Sequence, residues 1–70
     1  MQNVTLTRQE IGARLKELRG DKTLKQVGDD LNVTSMAVSN WENGERTPND
    51  DMKVKIANYY GVSVGSLFFN

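Results

Sequence analysis

Residues 24–44 constrain this chain more than any other stretch. Val27 and Leu31 lie four apart, on one face of a short helix, and Val38 and Trp41 lie three apart on a second helical pattern, with only Asn32-Val33-Thr34 between the two. Asn can take the left-handed backbone that closes a helix, and Thr34 is a good N-cap for the next one. Helices joined by so short a turn cross at about 90–120° and bring their backbones close. A residue without Cβ, Gly28, stands inside the first of them, where that approach needs it. Val27, Leu31, Val33, Val38 and Trp41 then supply the mutual apolar contact, which leaves the second helix proud of the body with a free outer face.

The remaining chain supplies the body. Ile11, Leu15 and Leu18 form one helical stripe behind Thr7-Arg8-Gln9-Glu10, a capping-box pattern, and predict a helix over 8–19 that ends at Gly20-Asp21. Thr23-Leu24-Lys25-Gln26 repeats the box and predicts a helix over 24–31. A third helix is expected over 34–43, stopping at Asn43-Gly44. Pro48 forbids its continuation, and Asn49 or Asp50 can cap a fourth helix carrying Met52, Ile56, Tyr59 and Tyr60, ended by Gly61. Residues 62–69 suit a strand by their β-branched content or a short helix capped by Ser63; the helix is favoured because a single strand has no partner here. The fold expected is all-α, a compact bundle of five short helices in one domain over 1–70, with the helix-turn-helix segment at about 24–43 and residues 1–6 as a flexible N-terminal arm.

Seventy residues allow one core of marginal size. With no cysteine and no histidine, the chain has no disulfide framework, no usual zinc ligand set and no usual general base. No nucleophile–base pair or cofactor loop is visible either, so no enzyme, cofactor, metal or small-molecule ligand is expected. The opening six residues lack a basic stretch followed by a long apolar run, and no run approaches the eighteen or so apolar residues of a membrane span, which predicts a cytoplasmic protein off the membrane. Nine basic and nine acidic residues cancel, which argues against nucleic-acid binding through bulk charge. Distribution can still reverse that, provided the pairs Asp29-Asp30 and Asp50-Asp51 point away from the ligand. Adjacent carboxylates on a helix diverge by about 100°, so these pairs are read as solvated faces and not as metal or acid–base sites.

Four segments, in this order and spacing, carry a family resemblance: residues 11–19, the turn Leu31-Asn32-Val33-Thr34, the run Val38-Ser39-Asn40-Trp41-Glu42-Asn43-Gly44 followed by Pro48, and residues 56–63. Over about residues 10–69 the chain resembles the lambda-repressor-like (Xre/Cro type) helix-turn-helix family. The resemblance implies a recognition helix that enters the major groove by its N-terminal end. Ser35, Met36 and Asn40 match the positions that touch base edges, with Ser39 beside them. Asn pairs bidentately with adenine, Ser is promiscuous and Met packs on a thymine methyl. For Met36, covering a neighbouring helix is the other reading. Phosphate contacts are expected from the start of the second helix, Lys25, Thr34, Asn43 and Arg46. The resemblance also implies that Glu42 pairs with Arg19 and, with Val38 and Trp41 turned inward, holds the recognition helix in place. The family often has Gln where this chain has Leu24, and Glu45 stands where a basic residue would help, which predicts modest affinity per domain.

Tyr59, Tyr60, Val64, Phe68 and Phe69 offer more apolar surface than so small a core hides, so a homodimer through this C-terminal end is expected, matching a palindromic operator. So short a chain leaves no room for an effector or cleavage domain. The function expected is sequence-specific binding of double-stranded DNA as a transcriptional regulator, most simply a repressor, in the cytosol and on the nucleoid of a bacterium or phage host. Phage, mobile-element and chromosomal regulators all fit. The alternative is a protein-interaction module on the same fold, an antirepressor or antitoxin-like partner, with weak or lost DNA binding.

Overall fold

A computed structural model of the chain describes residues 6–69. These form five helices: α1 (Arg8–Arg19), α2 (Leu24–Leu31), α3 (Ser35–Glu42), α4 (Asp50–Tyr60) and α5 (Val64–Phe68). Both capping boxes are made. The Thr7 hydroxyl accepts from the Glu10 N–H at 3.1 Å while the Glu10 carboxylate accepts from the Thr7 N–H at 2.9 Å, and Thr23 and Gln26 repeat the exchange at 3.0 and 2.8 Å. Two otherwise unpaired N–H groups are satisfied at each start. The same bond from the Thr7 N–H holds the Glu10 carboxyl below the usual carboxylate range. Asn49 and Ser63 cap α4 and α5 in the same manner, accepting from the N–H of Met52 and of Ser66. The favoured reading of the C-terminal segment as a helix therefore agrees with the structure.

The ends of α2 and α4 are set by left-handed residues. Asn32 sits at φ 62°, ψ 43°, and the next N–H, from Val33, reaches back to the Gly28 carbonyl at 2.8 Å. Gly61 at φ 70° closes α4 in the same way, with the Val62 N–H on the Ala57 carbonyl at 3.0 Å. Each closure satisfies carbonyls that a helix end leaves open.

α3 lies across both α1 and α2, while α4 packs on α5 and α2, and α5 returns to α1. The core contains Ile11 and Leu15 of α1, Val27 and Leu31 of α2, Val38 and Trp41 of α3, Ile56 and Ala57 of α4, and Leu67 and Phe68 of α5. Two expectations need correction. Leu6 is buried in this core, so the chain is anchored from there onward; residues 1–5 of the expected arm lie outside the described residues. Phe68 is fully buried at 0% exposure, because α5 turns it inward with Leu67, and it cannot belong to an association surface.

Two glycines permit the crossing of the helices. A Cβ on Gly28 would stand 2.8 Å from the Val33 carbonyl oxygen, which accounts for its place inside α2. The tighter position is Gly12 in α1, where a Cβ would fall 2.3 Å from the Glu42 carbonyl oxygen and 2.9 Å from that of Trp41. Backbone atoms cannot swing aside as a side chain can, so Gly12→Ala must push α3 away from α1. We expect it to lower stability by about 1–3 kcal/mol in urea unfolding, the range for overpacking a filled site. Gly65→Ala, on α5 with nothing within 4 Å of the added atom, serves as the control and is expected to be neutral or to add about 0.4–1 kcal/mol.

Candidate nucleic-acid interface

α3 has two opposed faces, as a helix advancing about 100° per residue requires. Val38 (2% exposed) and Trp41 (9%) face the core, whereas Ser35 and Met36 are exposed, Met36 at 67%, and Ser39 and Asn40 are half-buried. The four residues expected to read bases thus share one outward edge, and Met36 covers no neighbouring helix. Among the described residues the side chains of Ser35, Met36 and Asn40 make no hydrogen bond to the body, while the Ser39 hydroxyl accepts from the Asn43 amide at 3.2 Å.

The inner face is held by more than apolar contact. Arg19 presents its guanidinium fork to Glu42, donating from Nε to Oε2 at 2.7 Å and from Nη2 to Oε1 at 3.0 Å. A third donor, Nη1, reaches the Lys22 carbonyl at 2.7 Å, so one side chain ties the end of α1, the end of α3 and the α1–α2 loop. The Glu42 side chain is 5% exposed and that of Arg19 18%, which shields the pair from water. The bond to Glu42 holds Arg19 still more firmly in its charged form. α3 carries no other ionisable side chain, so its outward edge is neutral.

The residues expected at phosphates surround this edge. Thr34 caps α3, its hydroxyl oxygen accepting from the Ala37 N–H at 3.0 Å, which leaves the hydroxyl proton free to donate outward. Asn43 caps the other end. The Asn40 carbonyl accepts from the N–H groups of both Glu45 and Arg46, at 2.9 and 3.3 Å, so the loop carrying Arg46 is fixed to α3 at Asn40 itself. Arg46 is exposed and makes no ion pair among the described residues. Lys25 does make one, with Asp29 at 2.9 Å.

All four paired aspartates are exposed, as expected of solvated faces, and the two on α2 also engage neighbours. Asp29 holds Lys25, and Asp30 accepts from the Tyr59 hydroxyl at 2.5 Å, which pushes that hydroxyl's pKa up to about 12. The Lys22 ammonium lies 5.8 Å from the centre of the Tyr59 ring. Asp50 and Asp51 occupy the first turn of α4, where the helix dipole favours negative charge.

Three residues with structural roles around the interface escaped sequence reading. Gly12 seats α3, and its signal, a glycine beside Ile11 inside an apolar helical stripe, resembles that of Gly28. Lys55 donates to the Leu31 carbonyl at 2.8 Å and so pins α4 to the last residue before the turn. Arg8 donates to the Glu45 carbonyl at 3.3 Å and steadies the loop after α3. Neither cation carries a local sequence signal, because each partner is a backbone oxygen more than twenty residues away.

Known proteins share this arrangement. A family model described as helix-turn-helix matches residues 15–67. The HTH-type transcriptional regulator ImmR of Bacillus subtilis (strain 168) is 37% identical over 59 residues, which take in 81% of this chain and 46% of that protein. The chain therefore spans less than half the length of this curated relative. Among solved structures, the clp gene regulator ClgR of Corynebacterium glutamicum superposes with a TM-score of 0.74 at 26% identity, covering 89% of this chain and 83% of that one. The DNA-binding domain of BldD shares the fold, with a TM-score of 0.73 at 24% identity over 89% of this chain and 93% of its own. No helix among the described residues is long and apolar enough to cross a membrane.

Glu42→Gln removes one charge from a shielded pair and leaves the Arg19 guanidinium without its counter-charge. We expect a loss near the lower end of the roughly 3–5 kcal/mol seen when one partner of a buried pair is removed, measured by urea unfolding. The double substitution Arg19→Met with Glu42→Leu should recover most of that loss, since it leaves no stranded charge; a double variant as unstable as the sum of the two singles would contradict this account of the pair.

Proposed function

The chain belongs to the helix-turn-helix family, and on that footing we propose that it binds double-stranded DNA sequence-specifically as a regulator of transcription, repressing from an operator. One observation carries the proposal: α3 buries Val38 and Trp41 while leaving Ser35, Met36, Ser39 and Asn40 on an uncovered neutral edge. An edge of this kind fits the major groove, which admits a helix and displays a distinct pattern for each base pair. In this reading Asn40 pairs with adenine N6 and N7, Met36 packs on a thymine methyl, and Ser35 and Ser39 bond to whichever edge they meet. Lys25, Thr34, Asn43 and Arg46 take phosphates and set the register, and Arg19, Glu42, Val38 and Trp41 hold the helix at its angle.

Two copies meeting through the C-terminal end would place recognition helices about 34 Å apart, the spacing of a palindromic operator. With Phe68 buried, the surface for this is reduced to the partly exposed Tyr59, Tyr60 and Val64 together with Phe69, which is 41% exposed. The cytoplasm of a bacterium or phage host is the setting that fits. A protein-interaction role on the same fold draws its support from the zero net charge and from the engagement of Lys25 by Asp29.

Selection of bound sites from randomised duplex supplies the DNA for a direct test. On the selected site Asn40→Ala should cost about 1–3 kcal/mol while leaving random-duplex affinity unchanged, and Arg46→Ala should weaken all sequences alike and flatten the salt slope by about one. Equal effects of the two substitutions on both DNAs would contradict the division of roles; absence of duplex binding at low salt would favour the interaction module. Sedimentation should show a dimer on the selected site, and a monomer at tens of micromolar, free and on DNA, would remove the two-fold arrangement.

A further inference from the structure

The charges of α2 are placed against its own dipole. Lys25 lies in the first turn and Asp29 towards the last, and the helix has no acidic residue in its first turn and no basic residue in its last. A helix N-terminus disfavours cations and a C-terminus disfavours anions. The pair also runs in the weaker order, since an acidic residue preceding a basic one by four is the better arrangement on a helix. The helix dipole therefore explains the position of neither residue, and their pairing offers the helix only a small gain.

The ion pair itself is firm in geometry and open to solvent. Lys25 Nζ lies 2.9 Å from Asp29 Oδ2, with the side chains 82% and 65% exposed. The bond to Asp29 raises the Lys25 pKa above the ordinary lysine value, so the ammonium stays charged. Lys25 stands in the first turn of α2, the helix that packs against α3, whereas the other cation expected at phosphates, Arg46, makes no ion pair among the described residues. The two flanks of the interface thus differ in one respect, the presence of a carboxylate already bound to the cation.

We propose that Asp29 is an internal competitor for Lys25: it occupies the ammonium in place of a DNA phosphate, and a phosphate must displace it. This rests on the DNA-binding function proposed above. An ordinary phosphate contact releases one condensed counterion and contributes about 0.9 to the salt slope. When Lys25 leaves Asp29 for a phosphate, the ion pair is given up and an unpaired carboxylate is left beside the new contact, which offsets part of what the contact contributes. This flank then adds less to binding on arbitrary sequence than a cation with no carboxylate to leave. An exposed pair of this spacing is worth only a factor of about two, so the competition restrains the contact without abolishing it. Asp29 thereby sets how much of the total affinity is indifferent to sequence.

A double-substitution cycle on random duplex between 50 and 200 mM salt tests this. Asp29→Asn should raise low-salt affinity about twofold. Lys25→Ala should flatten the slope by about 0.9 and should abolish the gain from Asp29→Asn, so that the two substitutions are not additive. Because both side chains are exposed, circular dichroism should show all variants folded. If Asp29→Asn leaves affinity unchanged while Lys25→Ala flattens the slope, or raises affinity equally with Lys25→Ala present, Asp29 does not compete for Lys25 and the inference is wrong. If duplex binding persists and no member of the cycle changes it, Lys25 takes no phosphate and the inference alone fails. If neither the unaltered chain nor any variant binds duplex at low salt, the DNA-binding function fails and takes the inference with it.

Discussion

The distance between α1 and α3 at Gly12 governs the rest of the molecule. With a Cβ there the Glu42 carbonyl would have to retreat, and the bidentate reach of Arg19 to the carboxylate of that same residue would open with it. The apolar seating of Val38 and Trp41 depends on that approach, and the exposure of Ser35 and Met36 is its geometric complement. A small core makes this arrangement stringent, because few other contacts are available to hold α3 if the first is lost.

Much of this was legible in the residues. The helix starts were readable because capping is local: Thr7 with Glu10 and Thr23 with Gln26 announce themselves within four positions. Asn32 was readable as a helix end because few residues tolerate the left-handed backbone there. The pairing of Arg19 with Glu42 came from family resemblance, since no local rule links residues 23 positions apart. Lys55 and Arg8 escaped notice for the same reason, with only a backbone carbonyl as target. Phe68 and Leu6 were misjudged because burial at the chain ends depends on how α5 returns to α1, and the helical period of so short a segment does not fix which face turns inward.

Charge neutrality looks different once the partners are known. Glu42 belongs to Arg19, Asp29 to Lys25 and Asp30 to Tyr59, so three of the acidic side chains near α2 and α3 are committed within the fold. Net charge is then a poor guide to the field outside the interface. What matters is which ions have been neutralised locally and which, like Arg46, make no ion pair among the described residues.

Among the described residues the side chains of Ser35, Met36 and Asn40 form no hydrogen bonds with the scaffold that carries them. Exchange of these three would therefore break none of the polar contacts that close the turn or seat α3. If the proposed DNA-binding function holds, a single chassis of this kind can be re-addressed to new sequences by changes confined to this edge, with folding and target choice free to vary independently.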